Sequence, residues 1–125
     1  MIARAVLALA LTAALAAPAA AEPRGVAAAF GNTVKALYPD GGYQWLWLRA
    51  NGEWEAFGRR GKWTSGRWVQ KDVGKVCLRQ SRPIPIPLSY CTDFPANGGV
   101  GAVWASRSLE GDPIRVTVVK GIQRP

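Results

Sequence analysis

From residue 32 onward, short apolar and aromatic runs alternate with turn signals about every ten residues. The turn signals are Pro39-Asp40-Gly41-Gly42, Asn51-Gly52, Arg60-Gly61, Asp72-Val73-Gly74, Asn97-Gly98-Gly99 and Gly111-Asp112-Pro113. Within the runs, period-two alternation puts successive side chains on opposite faces, as in half-buried strands. Residues 32–38, 43–50, 53–58, 62–71, 75–79, 88–93, 103–108 and 114–120 read as strands. The pattern predicts an all-β fold: a single antiparallel meander forming a small barrel or sandwich of about eight strands. This β domain covers residues 32–125. A short segment, 22–31, precedes it, and Ala27-Ala28-Ala29 there favours a turn or two of helix.

The run 43–50 has Tyr43, Trp45 and Trp47 on one face and Gln44, Leu46 and Leu48 on the other. Both faces are largely apolar, which predicts cover on both sides. Asn51-Gly52 predicts a type I′ hairpin turn, because both residues tolerate positive φ. Three copies of a Gly-x-Trp pattern follow closely: Gly52-Glu53-Trp54, Gly61-Lys62-Trp63 and Gly66-Arg67-Trp68. Gly66, inside a strand, predicts a bulge that would let Trp63 and Trp68 both turn inward.

The chain has six tryptophans, and each can bury roughly 150–250 Å². They read first as the filling of the barrel. In the other reading some line an open mouth, and Trp45 and Trp47 form an aromatic platform for sugar rings or acyl chains. Pro83-Ile84-Pro85-Ile86-Pro87 removes three backbone donors and excludes a central strand. It reads as a stiff connection, or as a recognition arm over residues 82–88 that presents Ile84 and Ile86.

The N-terminal segment changes the compartment rather than the fold. Arg4 is followed by the apolar run Ala5–Ala17, and small residues at Pro18–Ala21 precede Glu22-Pro23. This predicts a helical secretory signal over residues 1–21, too short for a comfortable membrane span. Its removal leaves 104 residues, with no transmembrane span in the mature chain, and a basic surplus of +7. The alanine-rich style suggests a bacterial protein, periplasmic or secreted. Cys77 and Cys91 fit that oxidising address as a disulfide. With no histidine and only two cysteines, a structural metal site is not expected, nor is any cofactor.

The absence of histidine also excludes Ser-His-Asp and Cys-His catalysis in this chain. Gly98-Gly99-Val100-Gly101 lacks the lysine of a phosphate-binding loop. Glu53, Glu55 and Asp93 leave a carboxylate hydrolase as a residual alternative to the non-enzyme reading.

Charge gives the better lead. Eight basic residues fall between Arg59 and Arg82, with Asp72 the sole acid among them. A one-sided positive field steers polyanions. Arg59, Arg60, Lys62, Arg67 and Lys71 are the candidate anion-binding residues. Partners of matching chemistry are an anionic glycan, lipopolysaccharide or an acidic protein; a secreted address disfavours nucleic acid.

Gly31-Asn32-Thr33, Gly66-Arg67-Trp68, Cys77-Leu78 and Ser89-Tyr90-Cys91 resemble the pattern of small secreted bacterial β domains of unknown function. The Gly-x-Trp motifs and the eight-strand meander also resemble lipocalin-like barrels. The first resemblance spans Gly31 to Cys91 and implies no activity. The leading expectation is therefore a non-enzymatic binding or accessory module that recognises an anionic envelope component through a basic face. The alternative is an inhibitor or interaction module for a secreted hydrolase, with residues 82–88 as its arm. An open mouth with tryptophans inside and arginines at the rim would favour small-ligand capture.

Overall fold

The computed structural model describes residues 3, 5–10 and 22–125. Residues 3 and 5–10 form neither helix nor strand, and the rest of the expected signal helix lies outside the described residues. A 3-10 turn at Gly25–Ala29 stands where the alanine run favoured a helical turn. Eight strands follow: β1 Thr33–Leu37, β2 Tyr43–Leu48, β3 Glu53–Phe57, β4 Trp63–Asp72, β5 Lys75–Arg82, β6 Ser89–Asp93, β7 Val103–Arg107 and β8 Pro113–Val119. Among the described residues no helix is long and apolar enough to cross a membrane.

All eight strands join one antiparallel sheet in the order β6-β5-β4-β3-β2-β1-β8-β7. The sheet curls until its two edges, β6 and β7, face each other. There the backbone ladder gives way to side chains. Thr92 and Ser106 share a hydrogen bond of 2.9 Å, and the Trp104 indole donates to the Asp93 carbonyl at 3.1 Å. The Tyr90 hydroxyl donates to the Arg107 carbonyl. The result is a barrel closed by hydrogen-bonded strands everywhere except at this one seam.

Four hairpins share one build. Tyr38/Gly41, Arg49/Gly52, Gly58/Gly61 and Ser108/Gly111 each close a turn by a hydrogen bond from the glycine N–H to the first carbonyl. The glycine has φ between 78° and 89° in all four. Among the described residues none other than glycine has positive φ, so Asn51 does not form the type I′ turn expected of Asn51-Gly52. A three-residue loop ending in a left-handed glycine forms instead, a turn that also matches the twist of flanking strands.

The even-numbered positions of β1–β3 and β5–β8 point inward. Val34, Leu48, Trp54, Ala56, Val76, Leu78, Ile114, Val116 and Val118 form the core with Ala29, Tyr38 and Phe94. Gly66 also faces inward, opposite Trp54. A Cβ there would lie 1.9 Å from the Arg79 carbonyl oxygen, so only glycine fits. Register does shift beside it, between Ser65 and Gly66. The irregularity does not bring Trp63 and Trp68 to one side: Trp68 packs against the core, whereas Trp63 stays on the outer wall, in register with Phe57.

One end of the barrel is plugged. Ala28 and Ala29 of the 3-10 turn are buried, and Val26 and Phe30 pack against the core. The Phe30 ring lies 5.7 Å from Trp68, and Phe94 lies 5.0 Å from Trp104. On the outer surface of β5 and β6 the Cys77–Cys91 disulfide joins register partners, as the cysteine count predicted.

Candidate functional site

The inner walls of the strands alternate with outward positions, and only half of the tryptophans obey the expectation of an aromatic filling. Trp54, Trp68 and Trp104 face the interior, while Trp45, Trp47 and Trp63 lie outside. With three indoles fewer inside, and one end plugged, the interior is not filled. A cavity of about 420 Å³ remains at the unplugged end. That volume lies within the roughly 300–1,000 Å³ of small-molecule sites.

The deep wall is apolar, built from Val34, Leu46, Leu48, Trp54, Val76 and Val116 among others. Trp54 is held in place by donating to the Arg67 carbonyl at 3.0 Å. Polar groups appear nearer the mouth. Gln44 accepts a hydrogen bond from the Tyr38 hydroxyl at 2.8 Å. Burial pushes the Tyr38 phenol above its ordinary pKa, partly opposed by the nearby Arg59 guanidinium.

Three of the glycine hairpins, together with the proline segment, form the rim. Arg59, Arg60, Lys62, Ile86, Leu88, Leu109 and Glu110 line it. The rim cations differ in role. Arg59 stacks 4.4 Å above the Tyr38 ring and pairs with Asp40 at 2.9 Å, Asp112 at 3.5 Å and Glu110 at 3.8 Å. It braces three separate turns and has little charge left for a ligand. The Gly42 N–H, donating at 2.9 Å, and Arg59 hold the Asp40 carboxyl below the usual carboxylate range. Arg60 and Lys62 are exposed and make no ion pair among the described residues.

The remaining predicted cations are not at this rim. Arg67 lies on the outer wall of β4, in register between Glu53 and Arg79, and donates to the Asn51 carbonyl at 3.1 Å. Lys71 stands near the far end of β4, roughly 30 Å from Lys62 at about 3.3 Å per residue. The five residues are thus distributed between the mouth, the wall and the plugged end, and only Arg60 and Lys62 are free at the cavity.

The outer aromatics do not form the expected platform of Trp45 and Trp47. Trp47 is only 3% exposed. Its indole donates to Thr33 Oγ1 at 3.2 Å and to the Gln123 carbonyl at 3.1 Å, under the C-terminal segment. Trp63 stacks on it at 5.7 Å, and the Arg124 guanidinium sits 4.7 Å above it. Trp45 lies beneath the Lys35 ammonium at 4.6 Å. The outward face of β2 is thus covered at Trp47 and partly at Trp45 by the protein's own cations and tail, while Tyr43 stays exposed. Glu53 and Glu55 share this wall, where Glu55 accepts from Arg49 at 3.4 Å and Arg124 at 3.0 Å. They lie outside the cavity, whereas Asp93 is among the residues lining it.

The proline segment folds back on the end of β5. The Ile86 N–H donates to the Gln80 carbonyl at 3.1 Å, and the Gln80 side-chain amide donates to the Ile84 carbonyl at 3.1 Å. Ile86 and Leu88 thereby become part of the mouth. Sequence reasoning placed Ile86 and Leu88 only in a recognition arm over residues 82–88, and missed Leu109, Tyr38 and Gln44 as site residues. Gln44 shares a strand face with Leu46 and Leu48, but the opposite face is equally apolar, so alternation alone does not assign it to the interior. Compared with known proteins, the chain matches no family model, no curated sequence and no solved structure.

Proposed function

We propose that this protein is a non-enzymatic binding module that captures an anionic amphiphile of the cell envelope. The apolar part of the ligand occupies the cavity and the acidic head meets Arg60 and Lys62. One observation carries this reading: an apolar cavity of about 420 Å³ opens beside two exposed cations that make no ion pair among the described residues. Burial of apolar groups supplies the affinity, at about 0.8 kcal/mol per methylene. The rim charges select the head group and speed encounter. The Cys77–Cys91 disulfide supports a working place outside the cytoplasm, in a periplasm or after secretion.

The test is a titration with decanoate and with decanol, followed through tryptophan emission. Trp54 and Trp104 line the cavity, so an occupied interior changes their surroundings. Saturable binding of decanoate, weaker binding of decanol, and weakening of decanoate by salt are expected. Failure of both probes to bind, or equal affinity for the two, refutes the reading.

A further inference from the structure

The mouth carries more exposed apolar surface than ligand binding explains. Ile84 is 69% exposed, Leu88 75% and Leu109 72%. Tyr43 and Trp63, also exposed, are the first residues of β2 and β4 and follow directly on two of the rim hairpins. Among the described residues of the β domain, every exposed Ile, Leu, Tyr or Trp except Ile122 lies at this end. The plugged end exposes mainly valines. An apolar concentration of this kind, ringed by polar groups, marks an interaction surface.

The charge at the same end is also one-sided. The rim carboxylates Asp40, Glu110 and Asp112 are all held by Arg59. Arg60, Lys62 and Arg82 are exposed and make no ion pair among the described residues. Aliphatic tips, aromatic rings beside them and free cations around them match, layer by layer, the acyl boundary, the headgroup region and the surface charge of an anionic bilayer.

We infer that the mouth docks on an anionic lipid bilayer, with Ile84, Leu88 and Leu109 entering the acyl boundary and Arg60, Lys62 and Arg82 meeting acidic headgroups. The cavity then opens against the membrane, so an acidic lipid or fatty acid passes between bilayer and barrel without crossing water. The docking surface stands on exposure and charge alone; the transfer step rests on the cavity reading above. Each cation at the surface strengthens binding about fivefold.

Flotation with vesicles of phosphatidylcholine, with and without about a third phosphatidylglycerol, tests the inference alongside decanoate titration in solution. The variant carries Ile84→Asp and Arg82→Glu. Both positions are exposed, and neither lines the cavity. The expected result is flotation of the natural protein with the acidic vesicles and not with the neutral ones, and a loss of about tenfold or more in the variant. Decanoate affinity of the variant should stay unchanged, which also shows that it is folded. No flotation with acidic vesicles, or equal flotation of the variant, overturns the docking inference whatever decanoate does. Flotation without decanoate uptake overturns the cavity reading and leaves docking standing.

Discussion

Gly66→Ala should be among the most destabilising single-methyl changes in this protein, because the site has no room at all. Gly66 lies on the inner wall of β4, between Trp54 on β3 and Gln80 on β5. A methyl group there would meet the Arg79 carbonyl oxygen at 1.9 Å, its carbon at 2.9 Å and the Gln80 Cα at 3.0 Å. Every obstructing atom is backbone, so no rotamer change relieves the overlap. The two strands must separate by more than an ångström, which forfeits neighbouring ladder bonds at about 1 kcal/mol each. Overpacking adds roughly 1–3 kcal/mol. A total near 3 kcal/mol lowers Tm by roughly 12–24 °C in a domain of this size. Gly111→Ala is the matched control. Its φ is +87° but nothing lies within 4 Å of the added carbon. It should cost about 1 kcal/mol from backbone strain alone. Thermal melts followed by far-UV and near-UV circular dichroism measure both variants. Equal Tm values for the two, or a Gly66→Ala melt like that of the natural protein, would refute the packing derived for β4 and β5.

Reduction of the Cys77–Cys91 disulfide reopens a loop with a sequence separation of 14 and should cost about 3 kcal/mol, seen as a lower midpoint in urea. An unchanged midpoint with both thiols labelled would contradict that estimate. Arg60→Gln with Lys62→Gln should weaken decanoate binding about two- to thirtyfold and leave decanol unaffected, as calorimetry can read. The Asp40 carboxyl sits below its ordinary value in the folded state. The Gly42 N–H bond to it, and Arg59 after that, therefore contribute stability above the unfolded carboxylate pKa, and that stability is lost as pH falls through the lower folded value. Melts between about pH 6 and pH 2.5 should show this loss in the natural protein and a smaller one in Arg59→Met; parallel curves would remove Arg59 as the brace of the mouth.

The strands were legible because the physics that sets them is local. Alternation in 43–48 and 113–119 and the glycine of each hairpin appear in the residues themselves. All eight runs became strands. Turn type was less legible, since Asn51 tolerates positive φ but does not need it when a third loop residue is present. The site was hidden for two reasons. Which face of β2 lines the barrel cannot be decided from a strand that is apolar on both sides; the C-terminal segment settles it by covering Trp47 through Thr33 and Gln123. The run of cations looked like one patch in one dimension. A strand of ten residues carries Lys62 and Lys71 to opposite ends of the barrel, and three distant acids neutralise Arg59. Of the tips that matter, Ile86 and Leu88 come from the proline segment and Leu109 from the turn between β7 and β8, and only the curl of the sheet brings the two loops together.

Calorimetric titration with straight-chain carboxylates from butanoate to hexadecanoate tests the cavity most directly. Each added methylene should tighten binding about fourfold, at about 0.8 kcal/mol. The gain should stop once the chain fills the space, which holds on the order of a dozen water-sized groups at about 30 Å³ each. An affinity that does not change with chain length, or that keeps rising through hexadecanoate, would contradict an apolar cavity closed at one end as the binding site.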